Sequence, residues 1–591
     1  MSMKKISIAC RPKSLDEFRR LAALAKEIGV THLNISQIEP SMWLWNLNRY
    51  DPYPNWGLEN PTLFKFIVPE ELKKHFDTDY AQRNLEMLRA RAEILKEYDL
   101  KACFRCMEPA YMPESVYREH PEWRGARCDQ TRRARTEYYA PCLDNGELRE
   151  IYVRTVEQLC RVAPIELFRM LTNDSGGGLC WAEGLYPGKN GPLACAHIPM
   201  GKRIARYLSI FQEGAARAGL EAEAAVVHID PSDMVASLPD LLPGQSINGC
   251  TSNGKSADFV VGCPVPSSDH ATPVYLMPRL VHYAERMQAV QDVTDCNLTY
   301  AFRSVNDIEA ITFVKNYTGK MGSGPVGIYN ALTDFAATLV GKENADDLVT
   351  VWDLIEKCIQ AFSYLGTGGH IFNLGSIHQR WLTRPLVAFP GELKPEEKNY
   401  YRAYQFQAQS EADADNMCDL QGNCWLSGYG AANLLAKTVK QNLPLIDRAV
   451  KIAGDLVDRV PESYRDQMKK VLLKLRLYRC VIRNAENVVT FQNILDRTDY
   501  SVEPRDTSPC ISEQGDIRYF KVNQIIRNEV DNTLEIISIL KEDPNAIITV
   551  DVKFKSVMNY GTDIVDDLKK KITIMENHRR DFERLYKSFN R

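Results

Sequence analysis

An α/β fold, an N-terminal (β/α)8 TIM-like barrel followed by a mostly helical C-terminal region, is what this 591-residue sequence predicts. Three observations predict it. Short apolar runs of strand type alternate with amphipathic stretches of about 12–20 residues over roughly the first 330 positions, the signature of βαβ units and a parallel sheet. No G-x-G-x-x-G follows the first strand, where a dinucleotide-binding open sheet would carry it. From about Asp346 the strand patterns almost vanish and helical periodicity takes over. These place a barrel domain at 1–340 and a mostly helical region at 341–591.

The strands are expected at 5–10, 31–36, 101–106, 167–171 and 221–229. Weaker patterns at 246–249 and 259–262 compete for the sixth, and 298–302 and 326–328 stand for the seventh and eighth. The first helix, over 14–28, carries a capping box in Ser14 and Glu17 and is closed by Gly29. Further helices are expected at 79–98, 147–162 and 200–218. The C-terminal region reads as helices over 349–362, 396–419, 429–437, 445–460, 463–497, 519–541 and 562–589, with one strand pattern at 547–552.

The composition, 45% hydrophobic and 25% charged, is that of a globular protein. A net charge of −4 and a pI near 6.3 argue against a nucleic-acid partner. No apolar stretch reaches the ~18 residues of a membrane span. The N-terminus does not read as a signal peptide, so cytoplasm is the default expectation, and a leader removed beforehand would make the protein periplasmic or secreted. The sixteen cysteines are scattered singly in apolar runs, which suits reduced core residues. The one CxxC, Cys103 to Cys106, lies in a strand whose alternation puts the two thiols on opposite faces, so neither a metal nor any other cofactor is expected.

A barrel keeps its chemistry at the C-terminal ends of its strands. The fourth strand ends in TNDSGGGLCWAEGLYPGKNGP, residues 172–192, a carboxylate opening into a glycine-rich, aromatic loop. Asp174 is therefore the lead catalytic candidate. Its partner is expected to be Glu108, after the third strand in RCMEP, or Asp230, after the fifth in VVHIDP, because neighbouring strand ends bring carboxyl groups within several Å. Asn173, Ser175, Trp43, Trp45, Trp181, His228, Asn248, Asp269, His270 and Arg303 complete the rim as substrate-binding candidates. Amides and carboxylates bind sugar hydroxyls and aromatic faces stack on sugar C–H surfaces. Two carboxyl groups flanking a bond are what glycoside hydrolysis needs. Plain structural roles stand beside each: Glu108 binding a neighbour, Asp230 capping the helix near Ser232, the Trp43–Trp45 loop serving as a lid or homo-oligomer contact. Arg124, Arg127, Arg132, Arg133 and Arg135 crowd RGARCDQTRRART and suit an acidic or sulfated sugar, or simply a solvated loop.

The order HPEWRG, APCLDNGELREIY, LFRMLTNDSGGGLC resembles barrel glycosidases of the broad β-hexosaminidase and α-glucuronidase type, over roughly residues 100–235. The resemblance implies hydrolysis of glycosidic bonds in oligosaccharides of acidic or N-acetylated sugars, with Asn173 orienting the substrate and Asp174 as general acid. The Asn-Asp pair departs from the usual Asp-Glu. Two other classes stay open: a carbohydrate-binding barrel without turnover, and a sugar lyase or isomerase using His228 and His270.

Overall fold

A computed structural model describes residues 5–38, 60–128, 137–172, 177–183, 190–256, 258–262, 274–293, 296–363, 381–401, 429–496, 509–550 and 560–582. Contacts divide the chain into two compact units. One comprises Met1–Ser267 with Arg286–Lys320, the other Ser268–Glu285 with Met321–Arg591.

The first unit is built on eight strands: β1 (Lys5–Ala9), β2 (His32–Asn34), β3 (Lys101–Met107), β4 (Ile165–Leu171), β5 (Glu223–Val227), β6 (Gln245–Ile247), β7 (Asp258–Gly262) and β8 (Asn297–Ala301). They run parallel in the order β6-β5-β4-β3-β2-β1-β8-β7. An open doubly wound sheet reverses its order at a switch point. Here the order is sequential and β1 pairs with β8, Ile8 opposite Tyr300, as closure of a (β/α)8 barrel requires. No ladder joins β6 to β7 among the described residues. That seam is bridged by Ser246 Oγ donating to Asp258 Oδ2 at 3.2 Å.

The helices of this unit follow from local signals. Leu15–Glu27 is capped by Ser14, whose hydroxyl accepts from the Glu17 N–H at 3.1 Å, while Glu17 reaches back to the Lys13 N–H at 2.7 Å. Gly29 ends the turn at φ +73°, a left-handed conformation that glycine adopts without strain. Asp77 and Asn145 cap Thr78–Glu97 and Gly146–Val162 in the same way. Two expectations are corrected. Residues 246–249 and 259–262 are not rivals for one strand but belong to separate strands, β6 and β7. Residues 326–328 are not a strand but the first turn of helix Gly324–Val340, set by Ser323 at the N-cap and Pro325 at the start.

The barrel's outer and inner faces differ in chemistry. Outward, Phe104 on β3 and Phe168 on β4 are fully buried. They join Phe66 and Phe211 in a chain of ring contacts at 5.2, 6.2 and 5.3 Å, each contributing about 0.5–1.5 kcal/mol beyond area burial. Inward, the Val/Ile/Leu layers usual in such barrels give way to polar side chains. Lys5 on β1 reaches Glu223 on β5 at 2.8 Å, and Asn297 on β8 donates to Glu223 at 3.2 Å and to Asp258 on β7 at 2.9 Å. Arg169 on β4 lies 3.2 Å from Asp258. All of these except the Asn297–Asp258 contact, which links paired neighbours, join strands that are not adjacent in the sheet, so they cross the lumen.

The second unit is helical, with Ala345–Ser363, Tyr429–Arg459, Glu462–Asp496, Pro509–Glu542 and Ile564–Asn577 as its main members. The patterns at 429–437 and 445–460 are one continuous helix that passes through Pro444. The helix expected from 396 is formed at Pro395–Tyr401, and 402–419 lie outside the described residues. At the centre of this unit Glu529 and Lys571, both fully buried, form an ion pair. Glu529 also accepts from Asn484 and Asn487, each at 2.7 Å, and Lys571 donates to the Leu382 carbonyl at 2.8 Å. Among the described residues, no helix is long and apolar enough to cross a membrane.

Candidate active site

Register fixes which strand ends meet. Met107, Leu171 and Val227 are paired across β3, β4 and β5. Glu108 follows immediately on β3 and is 1% exposed. Its two carboxyl oxygens accept from the Leu63 N–H at 2.8 Å and the Ala110 N–H at 3.1 Å, and its carbonyl accepts from the Tyr207 hydroxyl at 2.8 Å. Burial pushes its pKa up to about 7, against those backbone donors and Lys65, which pull it down. So placed, Glu108 ties the loop after β2 to the loop after β3.

Beyond β4, Thr172 donates to the Val227 and His228 carbonyls at 3.2 and 3.1 Å. Asn173, Asp174 and Ser175 lie outside the described residues, as do Trp43, Trp45, Asp269, His270, Arg132, Arg133 and Arg135. The chain resumes in a turn with Gly178 at φ +95° and Trp181 at φ +66°. Trp181 Nε1 donates to the Pro192 carbonyl at 3.2 Å, so this indole braces its own loop.

Beyond β5, His228 is exposed and holds φ +70°. Asp230 is half-buried and caps helix Pro231–Ser237, accepting from the Ser232 N–H at 2.9 Å. Asn248, after β6, has φ +46°, and its amide grips Ile229 from both sides: Oδ1 accepts from the Ile229 N–H at 3.1 Å, and Nδ2 donates to the Ile229 carbonyl at 2.7 Å. Asn248 thus positions the β5 loop. Trp181, His228 and Asn248 are three of the five non-glycine residues with left-handed φ among those described. Each such residue costs on the order of 1–3 kcal/mol and such strain clusters at functional sites. Arg303, after β8, is 3% exposed.

The arginine loop is partly spoken for. Arg124 pairs with Glu114 and lies over the rings of Tyr117 and Tyr139 at 5.1 and 4.8 Å; Arg127 pairs with Glu137 at 2.8 Å. The positive charge that sequence reasoning missed is inside the barrel. Arg105 on β3 stands in register with Arg169 on β4. Burial first, then the nearby Arg169, lowers its pKa, with Cys103 acting the other way. Arg169 has Asp258, whereas among the described residues no carboxylate pairs with Arg105. The signal was present in KACFRCM and IELFRML, where a Phe-Arg step recurs on two successive strands.

Between the β3 and β4 loops lies a small cleft, lined among others by Pro109, Gly178, Cys180, Arg203 and Tyr207. Beside it, Cys142, Cys180 and Cys195 bring their sulfur atoms within 4.8 Å of one another, the one group among the described residues whose donor set suits a soft metal ion.

No protein-family model matches the chain, and no curated protein matches it in sequence. Some solved structures are similar to it at low identity. A GH138 enzyme targeting pectin rhamnogalacturonan II matches at 10% identity over 99% of this chain and 68% of its own, with a TM-score of 0.47. An O-GlcNAc hydrolase mutant from Thermobaculum terrenum matches at 10% identity over 98% and 96%, with a TM-score of 0.37. A maltogenic alpha-amylase from Thermotoga neapolitana matches at 11% identity over 54% and 76%, with a TM-score of 0.31.

Proposed function

We propose that this chain is a glycoside hydrolase acting on oligosaccharides through two carboxyl groups at the β4 and β5 strand ends. The observation that carries the reading is register. Leu171 and Val227 are paired, and in sequence Asp174 stands three positions beyond the first as Asp230 does beyond the second. Parallel neighbours run about 4.8 Å apart, a spacing compatible with the ~5 Å separation of a retaining pair. Asp230 is the partner that solvent reaches, whereas Glu108 is buried and held by two backbone N–H groups. Arg105 supplies the preference for an acidic sugar, since a guanidinium with no carboxylate partner among the described residues suits an anionic ligand.

Replacing Asp174 by Asn should lower turnover of aryl glycosides of uronic acids by at least about 10³-fold, as loss of an essential acid or nucleophile does, with an unchanged circular dichroism spectrum. Asp230→Asn should act similarly. Retained turnover in both variants would overturn the assignment. Glycan binding without turnover by the unaltered protein would favour the binding-protein reading instead.

A further inference from the structure

Cys142 follows the short strand Tyr139–Pro141, Cys180 sits in the loop after β4, and Cys195 closes the helical turn Leu193–Cys195. The three are 2–3% exposed. We propose that Cys142, Cys180 and Cys195 form a zinc site that staples the glycine-rich β4 loop to the β3 loop. The proposal does not depend on the hydrolase reading.

Geometry is the first argument. Cys142 Sγ lies 3.8 Å from Cys195 Sγ, and the whole trio fits within 4.8 Å. Tetrahedral zinc with Zn–S bonds of about 2.3 Å holds its sulfurs about 3.8 Å apart. The surroundings are the second. Arg203, 4% exposed, donates to the carbonyls of Cys180 (3.0 Å) and Cys195 and to the Asp144 carboxylate (2.8 Å). One guanidinium thus fixes the backbone of two of the three cysteines and places positive charge beside the thiolates, the part outer-shell partners play at metal sites. The Asp144 backbone N–H faces the Cys142 sulfur.

On binding, zinc takes the three sulfurs as thiolates and the displaced protons pass to solvent. The fourth coordination position falls to water or to a ligand entering from outside.

The full chain, purified reduced and without chelator, should contain about one zinc per molecule, and its stripped form should take up one Co²⁺ with thiolate-to-cobalt absorption in the near ultraviolet. Cys142→Ser and Cys180→Ser should reduce bound metal at least about tenfold, while Cys160→Ser, a buried cysteine elsewhere, should leave it unchanged. If the serine variants fail to fold, alkylation of the unaltered protein decides: peptides carrying the three cysteines should be protected with zinc and labelled after chelation. Absence of zinc together with no cobalt absorption would overturn the proposal. So would a Cys142–Cys195 disulfide in peptides mapped without reductant.

Discussion

The barrel lumen and the core of the helical unit both bury charge, and they do so differently. In the helical unit, Glu529 and Lys571 are fully buried and paired with each other, and two asparagine amides and a carbonyl complete the pair. In the lumen, Lys5, Glu223, Asp258 and Arg169 keep between 17% and 33% of their side chains exposed, and among the described residues no carboxylate pairs with Arg105. A closed network serves the fold, because a buried charge is tolerated only when paired and hydrogen-bonded. A network left one anion short beneath the strand ends is suited to receive one. On the proposed reading, the two regions separate charge that closes a core from charge open to a ligand.

The largest expected effect tests the architectural side. Lys571→Met strands the Glu529 carboxylate and should cost about 3–5 kcal/mol in urea unfolding, whereas Lys571→Met with Glu529→Leu should recover most of that loss. Equal destabilisation by the single and double variants would show that packing, not charge, dominates there.

The next effect concerns Glu108. Its folded pKa is raised to about 7 from an ordinary 4.5, so the folded state holds a proton that the unfolded chain releases between those values. The stability this confers is complete below about pH 4.5 and is lost as pH rises through about 7, an amount of order 3 kcal/mol at 1.4 kcal/mol per pKa unit. Urea midpoints at pH 5 and pH 8 should show this slope in the unaltered protein and not in Glu108→Gln. An identical slope in both would remove Glu108 as its source.

Arg105→Met addresses the lumen directly. Relieving the repulsion from Arg169 should raise stability by about 1 kcal/mol, while affinity for a uronic acid or other anionic ligand falls at least about tenfold. A variant that loses stability would mean that Arg105 belongs to the architecture. Smallest is His228→Gly. Releasing a left-handed non-glycine residue should gain about 1 kcal/mol at the expense of turnover. Unchanged turnover would identify the strain at His228 as incidental.

The fold was legible where its signals are local. Ser14, Glu17 and Gly29 mark one helix from cap to stop, and strands β1 to β5 alternate clearly enough to be read one by one. β6 was obscured by its length of three residues, and 326–328 by apolar residues that fit either period once Pro325 is overlooked. The strand ends were legible as candidate places, because a parallel barrel presents its loops there whatever the sequence. Roles were not. Glu108 and Asp230 read alike as carboxylates after strands, yet one is sealed by Leu63 and Ala110 and the other caps a helix; burial and partners are tertiary properties. The cysteines at 142, 180 and 195 follow no ligand spacing, since three distant segments bring them together.

Asn248 marks where β6 runs out of main chain. Its backbone N–H still donates to the Val226 carbonyl at 2.8 Å, and its side-chain amide then supplies the next rung against Ile229. A primary amide is the side chain that imitates a peptide group, offering donor and acceptor together. The sheet therefore extends one rung further than its strands, and His228 stands on a splinted rather than a hinged backbone. Whatever His228 touches is met by rotation of its ring about χ1 and χ2, with the chain beneath it already set.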